Sequence, residues 1–207
     1  MCFEDLDKLI RDLKKKHSEI CDQWSKLINI SYNLDKKYVS DIVKENSDNE
    51  LFEYILQYRD FLSDNMTNYS FELLNRNFEC RIKTRNSIED KLARYMKKKS
   101  QSEESRGKFP LKKCLNDLYG VRYYVQKDTL ELDEIENHLK HNFPAFRIID
   151  ASKGDYKAIH VYFHQDNHSF PWELQIWKQE NAALNKESHK KHKQGYTQWE
   201  KESQEEK

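Results

Sequence analysis

The sequence predicts an α+β fold: a mixed central β-sheet packed by helices, with an N-terminal helical extension and a long C-terminal helix. Three observations point there. Apolar residues recur at three- and four-residue spacing through the first third of the chain, the stripe of amphipathic helices. After residue 76 the pattern changes in several segments to strict alternation, the period of half-buried strands. At 207 residues and 37% hydrophobic, the chain suits one domain with a helical extension and a core of its own. We therefore expect a helical region over 1–76 packing on a second unit over 77–207.

Composition excludes several classes. The 36 basic and 36 acidic side chains cancel, so no global field recruits nucleic acid or an anionic membrane. Any attraction for a polyanion is local. Cys2, Cys21, Cys80 and Cys114 lie far apart with no Cys-x-x-Cys pair, which suggests neither a disulfide framework nor a zinc knuckle. The stretch Met1–Leu6 lacks a basic start and an apolar run, and no uncharged run of about 20 apolar residues occurs. A soluble, cytoplasmic protein is the expectation. Four dispersed glycines, Gly107, Gly120, Gly154 and Gly195, make no Walker loop and no dinucleotide turn. Phosphate binding here would need side-chain cations and metal.

In chain order, Phe3, Leu6, Leu9, Ile10, Leu13, Ile20, Trp24, Leu27 and Ile28 mark a long first helix. Its other face carries Arg11, Lys14, Lys15 and Lys16, either a solvated face or a track for a nucleic-acid backbone. Asn46 to Glu50 reads as a break with Ser47 or Asp48 as a cap, and a second helix runs through Leu51 to Leu62. Asn77 to Lys83 alternates, so Arg81 and Lys83 point the same way. Ser87 is placed to cap a third helix, with Glu89 and Asp90 in its first turn, and Met96 to Lys108 reads as a loop. A strand begins near Asp117 and runs through Leu118 to Val125. Thr129 then opens a helix over Leu130 to His141. Phe146 to Ile149 reads as an edge strand and Tyr156 to His164 as a longer one that aligns Tyr156, Ala158, His160, Tyr162 and His164. Phe170 to Trp177 sets Glu173, Gln175 and Trp177 opposite Trp172, Leu174 and Ile176. A last helix spans about Gln179 to Glu200 and carries the basic group His189 to Lys193.

Asp117 and Glu173 come from separate strands that face the same way. Two carboxylates plus substrate phosphates are how a protein commonly holds Mg²⁺. The plainer alternative is a pair of ordinary strand-end acids, each paired with a lysine. Arg81, Lys83 and Lys91 make a second group, with a helix N-terminus beside them that also attracts anions. Tyr156 offers a ring to stack on a base, and His160 an imidazole along the same face; a core tyrosine and a surface histidine would look alike at this level. His160, His164 and His168 lack a fourth ligand for zinc.

Taken in order, Arg81-Ile-Lys83-Thr-Arg-Asn-Ser87-Ile-Glu-Asp-Lys91, Asp117-Leu-Tyr-Gly-Val-Arg122, Tyr156-Lys157-Ala-Ile-His160 and Glu173-Leu-Gln175-Ile resemble the synthetase domain of the RelA/SpoT family. The resemblance spans roughly Arg81 to Lys193. It implies a nucleotidyltransferase-like synthetase fold of the small single-domain type, and transfer of pyrophosphate from ATP to a ribose 3′-hydroxyl. By that resemblance Asp117 and Glu173 would hold Mg²⁺. Arg81, Lys83, Ser87 and Lys91 would bind ATP, while Tyr156, Lys157 and His160 would bind the acceptor, with Gln175 orienting Glu173. Asp155 stands where the family generally has Gly, Lys157-Ala158 replaces Arg-Ser, Trp177 replaces an arginine, and Ser188-His189 replaces Glu-His.

The resemblance leaves three functions open. The first is an alarmone synthetase of the stringent response that acts on GDP or GTP and gives a (p)ppGpp-type product. The second is a toxic synthetase that modifies the tRNA 3′ end and is neutralised by an antitoxin protein. The third is a nucleotide-binding regulator without turnover.

Overall fold

The computed structural model describes residues 3–44, 50–66, 78–97, 107–126 and 130–188. The chain opens on α1 (Phe3–Leu27), then α2 (Val39–Lys44) and α3 (Glu50–Met66). β1 (Phe78–Ile82), α4 (Arg85–Lys97), α5 (Leu111–Cys114) and β2 (Tyr119–Val125) follow. Next come α6 (Leu132–Asn142), β3 (Arg147–Asp150), β4 (Ile159–Phe163) and β5 (Trp172–Lys178). A 3₁₀ turn, Gln179–Asn181, leads into helix over 182–188.

The five strands form one mixed sheet in the order β1-β2-β5-β4-β3, parallel between β2 and β5 and antiparallel elsewhere. The parallel pair is joined by a crossover that holds α6, β3 and β4, the kind of long connection that parallel strands require.

One face of the sheet is apolar because alternate residues of every central strand are. Val121, Tyr123, Val125, Ile159, Val161, Phe163, Trp172, Leu174 and Ile176 are buried there in a single core cluster with the apolar stripes of α1 and α3. From α1 come Leu6, Leu9, Ile10, Leu13, Ile20 and Trp24, spaced along one side of the helix. Full burial of each aliphatic side chain contributes roughly 1.5–3 kcal/mol, so this stripe outweighs the modest helix propensity of a charge-rich segment. Aromatic contacts tie the layers together: Trp24 packs on Tyr54, Tyr58 and Phe61, and Trp172 Nε1 donates to the Tyr58 hydroxyl at 3.2 Å. No helix among the described residues is long and apolar enough to cross a membrane.

The structure revises several local expectations. α4 begins at Arg85 and is capped by Thr84, whose Oγ1 accepts the Ser87 amide at 3.3 Å. Ser87 is therefore the third helical residue, and Glu89 and Asp90 stand beyond the first turn. Asp117 sits in the turn before β2 rather than on the strand. Tyr156 also lies outside its strand. The backbones of Lys153 and Tyr156 exchange two hydrogen bonds, 2.8 and 3.1 Å, around Gly154-Asp155, and Gly154 takes the positive φ of 59° that this tight reversal needs. α6 starts at Leu132, where the Glu131 amide donates to the Glu134 side chain. Of the break expected over Asn46 to Glu50, Glu50 instead opens α3, and of the loop expected over Met96 to Lys108, Met96 and Lys97 instead end α4; the rest of the break, residues 98–106, Thr129 and the basic group His189 to Lys193 lie outside the described residues.

Candidate active site

The second face of the sheet is polar, and strand register arranges it in two rows. The first runs Arg81, Gly120, Glu173, Tyr162; the second runs Glu79, Arg122, Gln175, His160. Gly120 leaves the middle of the first row without a side chain. A Cβ built there would meet no atom nearer than the Arg81 carbonyl oxygen at 4.0 Å, so the glycine opens space between a cation and a carboxylate. A cleft of ≈320 Å³ occupies this region, lined by Arg81, Asp117, Gly120, Arg122, Glu173 and Gln175 together with Glu79, Cys80 and Val121.

Asp117 reaches the cleft from its turn because Lys83, just past the end of β1, donates its backbone amide to the Leu118 carbonyl at 2.9 Å. The Lys83 Nζ then donates to Asp117 Oδ2 at 2.6 Å, and the Lys91 Nζ, from α4, donates to Oδ1 at 2.9 Å. Burial works to raise the Asp117 pKa, but the charges of Lys91 and Lys83 outweigh it and bring it down to about 2. Burial in turn lowers the Lys83 pKa, with Asp117 offsetting part of the effect. Ser87 and Lys91 are one turn apart on one side of α4.

Glu173 sits on β5, next to its first residue, and is 7% exposed. Three neighbours surround its carboxylate: Tyr162 Oη donates to Oε1 at 2.8 Å, His160 Nδ1 lies 3.1 Å from Oε1, and Gln175 Nε2 donates to Oε2 at 2.7 Å. Burial alone would raise the Glu173 pKa, yet the His160 contact and the Gln175 hydrogen bond carry it below the ordinary glutamate value. The Gln175 carbonyl oxygen accepts from the Arg122 guanidinium at 3.3 and 3.4 Å, and Arg122 also pairs with Glu79 at 2.9 Å.

His160 has both ring nitrogens engaged. Nε2 meets the Tyr156 hydroxyl at 2.8 Å, and Trp177 Nε1 donates to that same hydroxyl at 3.3 Å. Trp177 is completely buried, with the Arg122 guanidinium 3.8 Å over its ring and Tyr124, Ala158 and Tyr156 packed around it. It is a packing element of the polar face rather than part of the cleft lining. Lys157 is exposed to solvent; the buried Asn185 side chain holds its backbone through bonds of 2.9 and 2.8 Å.

The fold thus brings Arg81, Lys83, Lys91, Asp117, Glu173 and Gln175 together, with His160 and Tyr156 connected behind Glu173. Tyr162, Arg122 and Glu79 join them without having been singled out from the sequence. Alternation does place Tyr162 on the side of His160, and Arg122 follows Gly120 at strand period. Their partners emerge only from the register of β2 and β4 against β5.

No family model and no curated protein matches the sequence. Among solved structures the chain is similar to small alarmone synthetase 2 from Bacillus subtilis, at 16% identity and a TM-score of 0.35 over 75% of this chain and 77% of that one. It is also similar to small alarmone synthetase 1 from the same bacterium, at 20% identity and a TM-score of 0.32 over 72% of each chain. A third structure is that synthetase bound to AMPCPP, at 19% identity and a TM-score of 0.29 over 72% of this chain and 73% of that one.

Proposed function

We propose that the chain is an ATP-dependent pyrophosphotransferase that acts on the ribose 3′-hydroxyl of GDP or GTP and yields a (p)ppGpp-type alarmone and AMP. The observation that carries this reading is the arrangement of Asp117 and Glu173. The two carboxylates, both favoured in their ionised form, line one cleft with Arg81 and Arg122, and Lys83 and Lys91 close on the first of them. The ordered motifs through Arg81, Asp117, Tyr156 and Glu173 support the same chemistry.

The donor set suits Mg²⁺. Asp117 and Glu173 would hold it, because two carboxylate oxygens plus substrate phosphates meet its preference. Each Asp117 oxygen that accepts a lysine proton keeps a second lone pair. Bound there, the ion would supply positive charge against the phosphates of the substrate.

The residues of the chain do the rest. Arg81, Lys83 and Lys91 supply positive charge for the ATP phosphates, and Ser87 sits at the N-terminal turn of α4 where an anion is favoured. The acceptor 3′-oxygen attacks the β-phosphorus, the bond from that phosphorus to the α-β bridging oxygen breaks, and AMP leaves with the electron pair. Glu173, with Gln175 holding its Oε2, is placed to take the hydroxyl proton. Tyr156 would present its ring to the acceptor base.

The test supplies β-labelled ATP with Mg²⁺ and offers GDP, GTP, ATP and deacylated tRNA in parallel. Label on GDP or GTP is the expected result. Label on tRNA alone moves the acceptor assignment to the RNA 3′ end, and label on none of them overturns the reading.

A further inference from the structure

We infer that Tyr162 and His160 are positioning residues that orient Glu173, and that His160 connects Glu173 to Tyr156 rather than binding an acceptor phosphate itself. The inference rests on reading this cleft as a phosphoryl-transfer site, and it changes the role that motif likeness assigns to His160.

The geometry is a continuous line of hydrogen bonds. Trp177 Nε1 donates to the Tyr156 hydroxyl at 3.3 Å, which makes that oxygen an acceptor on one side. The carboxylate Glu173 Oε1, which only accepts, faces His160 Nδ1, so the lone pair of the neutral ring lies on Nε2 and takes the Tyr156 proton at 2.8 Å. With Nε2 accepting, the ring proton lies on Nδ1, which faces Glu173 Oε1 at 3.1 Å and the Tyr162 hydroxyl oxygen at 3.3 Å. Tyr162 donates to the same carboxylate oxygen at 2.8 Å, directly opposite Glu173 in the β4–β5 register. The carboxylate oxygen can only accept, so the Tyr162 hydroxyl is the donor in this pair.

Two donors on Oε1 and the Gln175 amide on Oε2 restrict the carboxylate to one orientation. Both ring nitrogens of His160 are used in this line, and neither is left aimed at a ligand. Partners of this kind govern a functional carboxylate through its direction and basicity. Their loss commonly costs roughly ten- to a hundredfold in activity.

The expected signature is a split between rate and affinity. Tyr162→Phe keeps the ring under the Arg147 guanidinium, 5.2 Å from its centroid, and deletes only the hydroxyl. It should lower kcat about ten- to a hundredfold while the KM for acceptor and the Kd for a non-hydrolysable ATP analogue stay unchanged. His160→Asn places an amide donor near the Nδ1 position and should keep more of kcat than His160→Ala.

A raised acceptor KM at unchanged kcat in His160→Asn would make His160 a direct acceptor ligand and overturn the inference. Wild-type kcat in Tyr162→Phe would overturn it equally. If the wild-type protein labels no acceptor, the functional reading fails while the network still has its own test. Imidazole ¹⁵N resonances, assigned by comparison with His160→Asn, should show the His160 proton on Nδ1; the neutral Nε2–H tautomer would overturn it.

Discussion

Acid should loosen the seam between α1 and the sheet through one buried imidazole. His17 is completely buried on the inner face of α1, its Nε2–H donating to the Phe170 carbonyl at 3.0 Å and its ring set edge-on to Trp172 at 5.1 Å. Its Nδ1 has no hydrogen-bond partner among the described residues. Burial drives its pKa from 6.5 down to about 4, with the Phe170 bond recovering only part of the loss. The unfolded chain therefore takes up this proton before the folded one does. The stabilisation that comes from keeping His17 neutral is complete above pH 6.5 and is lost as pH falls toward about 4. At about 1.36 kcal/mol per pH decade, the whole window is worth roughly 3 kcal/mol, of which about 2 kcal/mol is gone by about pH 5.

The assay is urea unfolding at about pH 7.5 and about pH 5 for the wild type and His17→Leu. The variant leaves the Phe170 carbonyl without its donor and should be less stable by about 1–3 kcal/mol at the higher pH. Carboxylates elsewhere titrate alike in both proteins, so the comparison isolates His17. The wild type should lose about 2 kcal/mol more than the variant between the two pH values. Equal losses would refute the argument, because they would mean that His17 titrates in the folded protein as it does in the unfolded chain.

Two further substitutions probe the polar face. Asp117→Asn removes the counter-charge of two lysines whose side chains are 7% and 14% exposed. It should abolish pyrophosphate transfer and cost about 3 kcal/mol in urea unfolding, so an unchanged midpoint with full turnover would defeat the assignment. Trp177→Ala empties a completely buried site against Tyr124, Ala158 and Tyr156 and releases the Arg122 guanidinium from its ring. A loss of about 3–5 kcal/mol in thermal or urea unfolding is expected, and one below about 1 kcal/mol would contradict the packing described.

How much of this architecture could be read from the sequence depends on which interactions set each element. The stripe of α1 and the apolar alternation of Trp172, Leu174 and Ile176 in β5 are local patterns of residues that enter one core, and both segments fold close to where periodicity places them. α2 and α5, at six and four residues, are too short to show a helical period, and α2 owes its position to backbone bonds from Val39 to Phe109 and from Ser40 to Gly107. At the start of α4, Thr84 and Ser87 compete for one cap, and the winner is set by how closely the chain turns after β1. Tyr156 stands outside its strand because Gly154 supplies a turn that alternation alone does not register.

The site divides along the same line. Residue types and the order of the motifs point to Asp117, Glu173, Lys83 and Lys91 from the sequence, although of the four only Glu173 stands on a strand. The bonds that govern their charge cross from β1 and α4 to the turn before β2, and from β4 to β5. Tyr162 shows the consequence most clearly. Within its own strand it is an aromatic between Val161 and Phe163, and only the pairing of β4 with β5 turns it into a donor to Glu173. A register shift of one residue would send that hydroxyl to the apolar face and leave Glu173 with one fewer donor. The antiparallel register between β4 and β5 is therefore as much a determinant of this cleft as the carboxylates that line it.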